Sequence, residues 1–189
     1  MVDRAVHDAG LFDSHEAYGP VSRGFHWVMA ALLAWQILSV LSHELFKDTA
    51  IEAFFFGQHF LVGFTIFVLA IARGIWGLAN ISRRPPHTAG LLGKAAVAGQ
   101  VLMYLLMIGT PLVALIRAWG SDRGFSLLGA QIFAPQAETI DWTANLFEQL
   151  HGPFGWTLFA LIAGHVVLAF LHPKFGGDRV LPRMGIARD

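Results

Sequence analysis

The stretch from Leu150 to Pro173, LHGPFGWTLFALIAGHVVLAFLHP, is apolar along nearly its whole length yet carries three histidines, His151, His165 and His172. An imidazole in a membrane-length helix needs a ligand or a hydrogen-bond partner inside the bundle, because hydrocarbon offers neither. His151 and His165 are 14 residues apart, which on an α-helix places them roughly 40° apart in azimuth and ~21 Å apart along the axis. They share a face at two depths. Neutral imidazole nitrogen suits iron, and two histidines fill both axial positions of a haem, leaving no open coordination site. Such a centre passes electrons and does little else. The expectation is that His151 and His165 are each one axial ligand of a separate buried haem, with partners elsewhere in the chain.

The composition supplies the medium. Of 189 residues, 55% are hydrophobic and 14% charged, and the mean hydropathy is +0.55, a balance foreign to soluble domains. A formal net charge of 0 argues against nucleic acid as a partner. Cysteine is absent, which excludes disulfides, iron–sulfur clusters, thiol nucleophiles and covalent haem attachment, so any haem is held non-covalently. The first 20 residues mix acids, bases and histidines, unlike the basic-then-apolar layout of a cleaved signal peptide. The first helix is therefore expected to be retained.

Four apolar runs are expected to span the membrane, at about 21–42, 53–78, 95–116 and 145–171, within one transmembrane domain covering 1–189. Gly19-Pro20 marks the turn into the first. Thr49 and Asp141 are expected to cap the second and fourth, each ten residues before a histidine, His59 and His151. Between helices lie the polar link HELFKDT, the loop ANISRRPPHTAGLLGK and a long external stretch from Arg117 to Asp141. The 13 basic residues divide ten to three: Arg4, Arg23, Arg73, Arg83, Arg84, Lys94, Lys174, Arg179, Arg183 and Arg188 against Lys47, Arg117 and Arg123. By the positive-inside rule both termini are expected in the cytoplasm.

Alternating direction assigns each histidine a depth. His26 lies near the inner start of helix one, and His59 in the outer half of helix two. His151 lies in the outer half of helix four, and His165 in its inner half. Two level pairs result, His59 with His151 and His26 with His165. The predicted fold is all-α, an integral membrane four-helix bundle with two stacked b-type haems in its core. Haems spaced along ~21 Å of helix would carry an electron across most of the ~30 Å hydrocarbon core. A lone histidine in an apolar helix is more often a satisfied polar contact, but four at matched depths, with no acid triad, serine motif or H-E-x-x-H, favour ligation. His172, two turns beyond His165, is either an interfacial histidine or a proton donor to a quinone. Arg73 either pairs a haem propionate or snorkels to headgroups. Trp27, Trp76, Trp119 and Trp142 read as interface anchors, and His7, His15, His43 and His87 as solvated.

The motifs YGPVSRGFHW around His26, QHFLVGF at His59 followed by Arg73, the RRPP loop, YLLMIGTP in helix three and LHGPFGW…GHVVLAFLH in helix four occur in that order. In this the chain, from about Tyr18 to Pro182, resembles the bacterial four-helix di-haem cytochrome b561 proteins of the inner membrane, whose characterised member is a superoxide oxidase. The resemblance implies haem ligation by His26, His59, His151 and His165 in the same pairs, and a quinone site near the cytoplasmic end, where His172 matches. It also implies electron transfer from superoxide at the outer face to ubiquinone. The chain departs from the pattern at Gln100, where relatives commonly have histidine, and at Ala114, where they have glycine. The competing expectations are a haem b membrane-anchor and electron-transfer subunit of a separate dehydrogenase or hydrogenase, and a structural four-span protein without cofactor. The shortness of the polar segments favours a self-sufficient protein.

Overall fold

The structure is a computed structural model and describes residues 10–86, 90–171 and 180–185. Its helices are α1 (Pro20–Leu45), α2 (Ala50–Phe56), α3 (His59–Ala79), α4 (Gly90–Trp119), α5 (Asp141–Leu171) and α6 (Val180–Arg183), with a 3₁₀ turn at Ile81–Arg83. Among the described residues, four spans are long and apolar enough to cross a membrane: Pro20–Leu45, Ala50–Ala79, Gly93–Trp119 and Asp141–Leu171. Large apolar side chains stay exposed along them, Ile75 at 64%, Leu78 at 70% and Phe170 at 61%, as a lipid-facing surface requires.

Local chemistry sets the helix ends. Pro20 occupies the first turn of α1, where its missing N–H costs no hydrogen bond. Thr49 caps α2 by accepting from the Glu52 N–H. Asp141 is not a cap; it is the first residue of α5, where a carboxylate still favours the positive end of the helix dipole. The second span is not one continuous helix. It breaks at Gly57-Gln58 between α2 and α3, where a Cβ on Gly57 would stand 2.5 Å from the Ala53 carbonyl oxygen. His59 is thereby the first residue of α3.

The long stretch after α4 holds an antiparallel hairpin, β1 (Phe125–Leu127) with β2 (Ala130–Phe133). Leu128 (φ 49°) and Gly129 (φ 85°) make its turn, both left-handed as the tightest hairpins require. The hairpin lies over the start of α3, with the Phe125 and Phe60 rings 4.3 Å apart. At the opposite end, buried Asp13 accepts from Arg84 Nε at 3.1 Å and from the Gly19 N–H at 2.9 Å. The Tyr18 N–H donates to the Arg183 carbonyl there. The segment before α1, the loop after α3 and α6 thus gather at one end, and the hairpin and the α1–α2 link at the other.

Close packing joins α1 to α3, α3 to α4, and α4 most extensively to α5. The backbone of α5 scarcely approaches α1 or α3. The fully enclosed core of Met29, Ile66, Ala70 and Met107, with Leu158 packed against it, lies at mid-height. Above and below it, the slot between α5 and the α1–α3 pair is crossed by histidines.

Candidate functional site

Toward the hairpin end, His59 and His151 stand with ring centres 6.1 Å apart. His151 Nδ1 lies 3.1 Å from the Thr110 carbonyl oxygen. A carbonyl only accepts, so Nδ1 carries the proton and Nε2 keeps its lone pair. His59 Nδ1 lies 2.8 Å from Ser39 Oγ. Phe147 stacks on the His151 ring at 4.6 Å and Phe56 lies 5.1 Å from the His59 ring. A cavity of about 370 Å³ reaches both imidazoles and is lined by Gly63, Gly152 and Gly155. A Cβ on Gly152 or Gly155 would meet nothing within 4 Å. Ala114, one of the two departures from the family pattern, lines this cavity as well; Gln100, the other, is exposed on α4.

Toward the terminal end, His26 and His165 stand with ring centres 6.4 Å apart. Arg73 lies above them, its Nη2 3.3 Å from His26 Nδ1, its Nη1 4.0 Å from Met29 Sδ and its guanidinium carbon 5.6 Å from the Tyr104 ring centre. Arg73 thus turns inward to the bundle. It makes no ion pair among the described residues. Gly164, beside His165, has open space where a Cβ would be.

The ring-centre spacing at both levels is the one that two imidazoles sharing a metal require. Two imidazoles bound to one ion at about 2.0 Å per nitrogen, with about 1.1 Å from ring centre to nitrogen, have centres about 6.2 Å apart. Both pairs stand within 0.2 Å of that value. No group of three or more His, Cys, Asp or Glu able to hold a metal occurs among the described residues. At the hairpin-end level the bare glycines Gly152 and Gly155 open the cavity beside the two imidazoles.

A second cavity, of about 560 Å³, opens at the hairpin end between Phe60 and Phe147 and is lined by Arg117, Arg123, Ser121, Asp122 and Thr139. Arg117 Nη1 is buried without a hydrogen-bond partner among the described residues. Lys47, the third basic residue of that end, is exposed and does not line the cavity. His43 is not simply solvated: its Nδ1 lies 2.6 Å from Glu52 Oε1, it stacks on Phe56 at 4.2 Å, and it lines the cavity of the hairpin-end pair. Among the tryptophans, Trp27, Trp119 and Trp142 are 42%, 43% and 55% exposed, whereas Trp76 donates to Ser22 Oγ at 2.9 Å and stacks on Phe12. His172 lies outside the described residues, as do His7 and His87. Sequence reasoning missed Ser39, Gln36 and Thr110, the polar groups within hydrogen-bond distance of the hairpin-end imidazoles. A serine one helical turn from another, Ser39 and Ser42 in an apolar run, was the signal available.

The family model of prokaryotic cytochrome b561 matches residues 17–185, and the chain belongs to that family. Comparison with curated proteins finds no match. Membership and the four apolar spans make this a multi-pass inner-membrane protein of haem b electron transfer.

Proposed function

With membership of the cytochrome b561 family as the premise, we propose that this protein holds two b haems and oxidises superoxide at the periplasmic face while reducing ubiquinone near the cytoplasmic one. The observation that carries the reading is the pair of imidazole couples, 6.1 and 6.4 Å between ring centres, set at two levels of one helix. His59 and His151 would hold the outer haem, His26 and His165 the inner. Haem iron held by two imidazoles would supply reversible one-electron transfer. Arg73 would be the cation for a carboxylate of the inner group, since it is half-buried beside His26 and makes no ion pair among the described residues.

The reaction balances as two superoxide anions giving two electrons and leaving as two dioxygen molecules, with one quinone taking those electrons and two protons to become quinol. Superoxide is an anion, and Arg117 and Arg123 line the outer cavity beside Phe60 and Phe147, which flank His59 and His151. Their positive potential raises the local anion concentration. His172 remains the proposed proton donor to the quinone. The ten-to-three division of basic residues supports placing the termini in the cytoplasm.

Stopped-flow mixing of the purified protein with superoxide and ubiquinone tests the activity: quinone-dependent decay well above the buffer rate is expected, and a rate equal to buffer sinks it. Co-purification of a stoichiometric redox subunit would move the assignment to an anchor subunit. A reduced-minus-oxidised spectrum with haem quantitation tests the cofactor count, with two haems per chain expected.

A further inference from the structure

The polar group against His59 is a side chain, unlike the main-chain carbonyl that holds His151, and the sequence could have placed any residue there. Ser39 is fully buried, so no solvent competes for its hydroxyl. Its Oγ lies 2.7 Å from the Gln36 carbonyl oxygen and 2.8 Å from His59 Nδ1. A hydroxyl has one proton and a carbonyl can only accept. The Ser39 proton therefore goes to Gln36, and toward His59 the oxygen accepts. Nδ1 carries the imidazole proton, and Nε2 is left with its lone pair for a metal.

The neighbouring amide does not undo this. Gln36 Nε2 lies 3.1 and 3.2 Å from the two His59 ring nitrogens and 3.1 Å from the His59 carbonyl oxygen. The ring lone-pair directions diverge in the plane, so a donor equidistant from both nitrogens lies along neither, and the amide bonds the carbonyl. Gly63 makes room for it, since a Cβ there would stand 3.2 Å from Gln36 Nε2.

We propose that Ser39 is a positioning residue of the outer site, whose hydroxyl oxygen holds His59 in the Nδ1-protonated tautomer and lowers the midpoint potential of the haem bound there. An acceptor on the far nitrogen makes the ligating nitrogen more basic, and a more basic ligand favours ferric over ferrous iron. No such acceptor stands behind His26 Nδ1 among the described residues, where the neighbouring group is the Arg73 guanidinium at 3.3 Å. Ser39 thus contributes to a downhill gradient from the outer haem to the inner. This inference rests on the two-haem reading.

The test is a redox titration, with ferric low-spin EPR, of the full-length protein purified as wild type, Ser39→Ala and Ser42→Ala. The outer midpoint is the one missing from His59→Ala. Ser42 is the control: it is buried on the same helix and its hydroxyl donates to the Ser39 carbonyl at 2.7 Å and not to a histidine. Ser39→Ala is expected to keep both haems, raise the outer midpoint so that the reduced-to-oxidised ratio at fixed potential rises several-fold, and change the outer EPR signal alone. Loss of the outer haem from Ser39→Ala but not from Ser42→Ala would carry the same assignment. An unmoved outer midpoint in Ser39→Ala, or an equal shift in Ser42→Ala, overturns it. A wild type without two haems is a separate outcome, which removes the two-haem reading and this inference with it.

Discussion

The two histidine pairs have the same donors and almost the same spacing, and differ in what surrounds them. The hairpin-end pair, proposed as the outer one, has a polar group at each Nδ1, Ser39 Oγ and the Thr110 carbonyl, aromatic rings against both imidazoles and a hairpin over the end of the bundle. At the inner pair a guanidinium meets His26 Nδ1 and Trp27 lies edge-on to the His26 ring at 4.9 Å. Identical ligands can therefore serve different duties. The groups behind a ligand set its tautomer and basicity, and a nearby cation stabilises the reduced, less positive state of the site.

The comparison breaks most completely through the ligands. His59→Ala or His151→Ala should halve the haem content by emptying the outer site, and His26→Ala or His165→Ala should empty the inner. Pyridine-haemochrome quantitation of each single variant reads this directly, and unchanged content in any of them breaks the pairing.

Asp13→Ala should loosen the inner end alone. It removes the buried partner of Arg84 and an acceptor for the Gly19 N–H, a loss on the order of 2–4 kcal/mol for a buried pair. Thermal unfolding in detergent should show a lower Tm, while the outer EPR signal stays as in wild type; a Tm within error of wild type would show that the contact adds nothing.

Arg73→Gln removes one positive charge beside His26 and should lower the inner midpoint. At an effective dielectric near 20 such a charge several ångströms away is worth on the order of 2 kcal/mol. A titration in which the outer midpoint moves as far as the inner would erase the distinction between the sites.

The smallest effect belongs to the outer cavity. Arg117→Ala with Arg123→Ala should slow superoxide consumption about tenfold at low salt, the low end of electrostatic steering, with haem content and both midpoints retained. The deficit should shrink as ionic strength rises. A salt-independent deficit would mean that the arginines act by packing and not by charge.

How much of this was legible depends on which geometry each feature needs. The level of each histidine could be read because a helix converts residue number into depth at 1.5 Å per residue, and alternating spans leave few ways to match depths. The groups around the imidazoles could not, since whether Ser39 or its neighbours touch His59 depends on the azimuth of one helix against another. The break at Gly57 was hidden inside an uninterrupted apolar run. The hairpin was hidden because its turn is Leu128-Gly129 and not one of the usual Asn-Gly or Asp-Gly pairs. Asp13 looked like one of several acids in a polar leader. Only its burial against Arg84, 71 residues away, shows it closing the inner end.

By itself the sequence determined a helical membrane protein with four spans and histidines placed at two levels, because hydropathy and helical rise act along the chain. The tertiary structure decided the rest: a slot between α5 and the α1–α3 pair, a polar group behind each hairpin-end imidazole, a cation behind one at the other end, and two arginines sharing one cavity. These are contacts between segments far apart in sequence. Their formation depends on how the helices rotate and lean when packed, which no local pattern encodes.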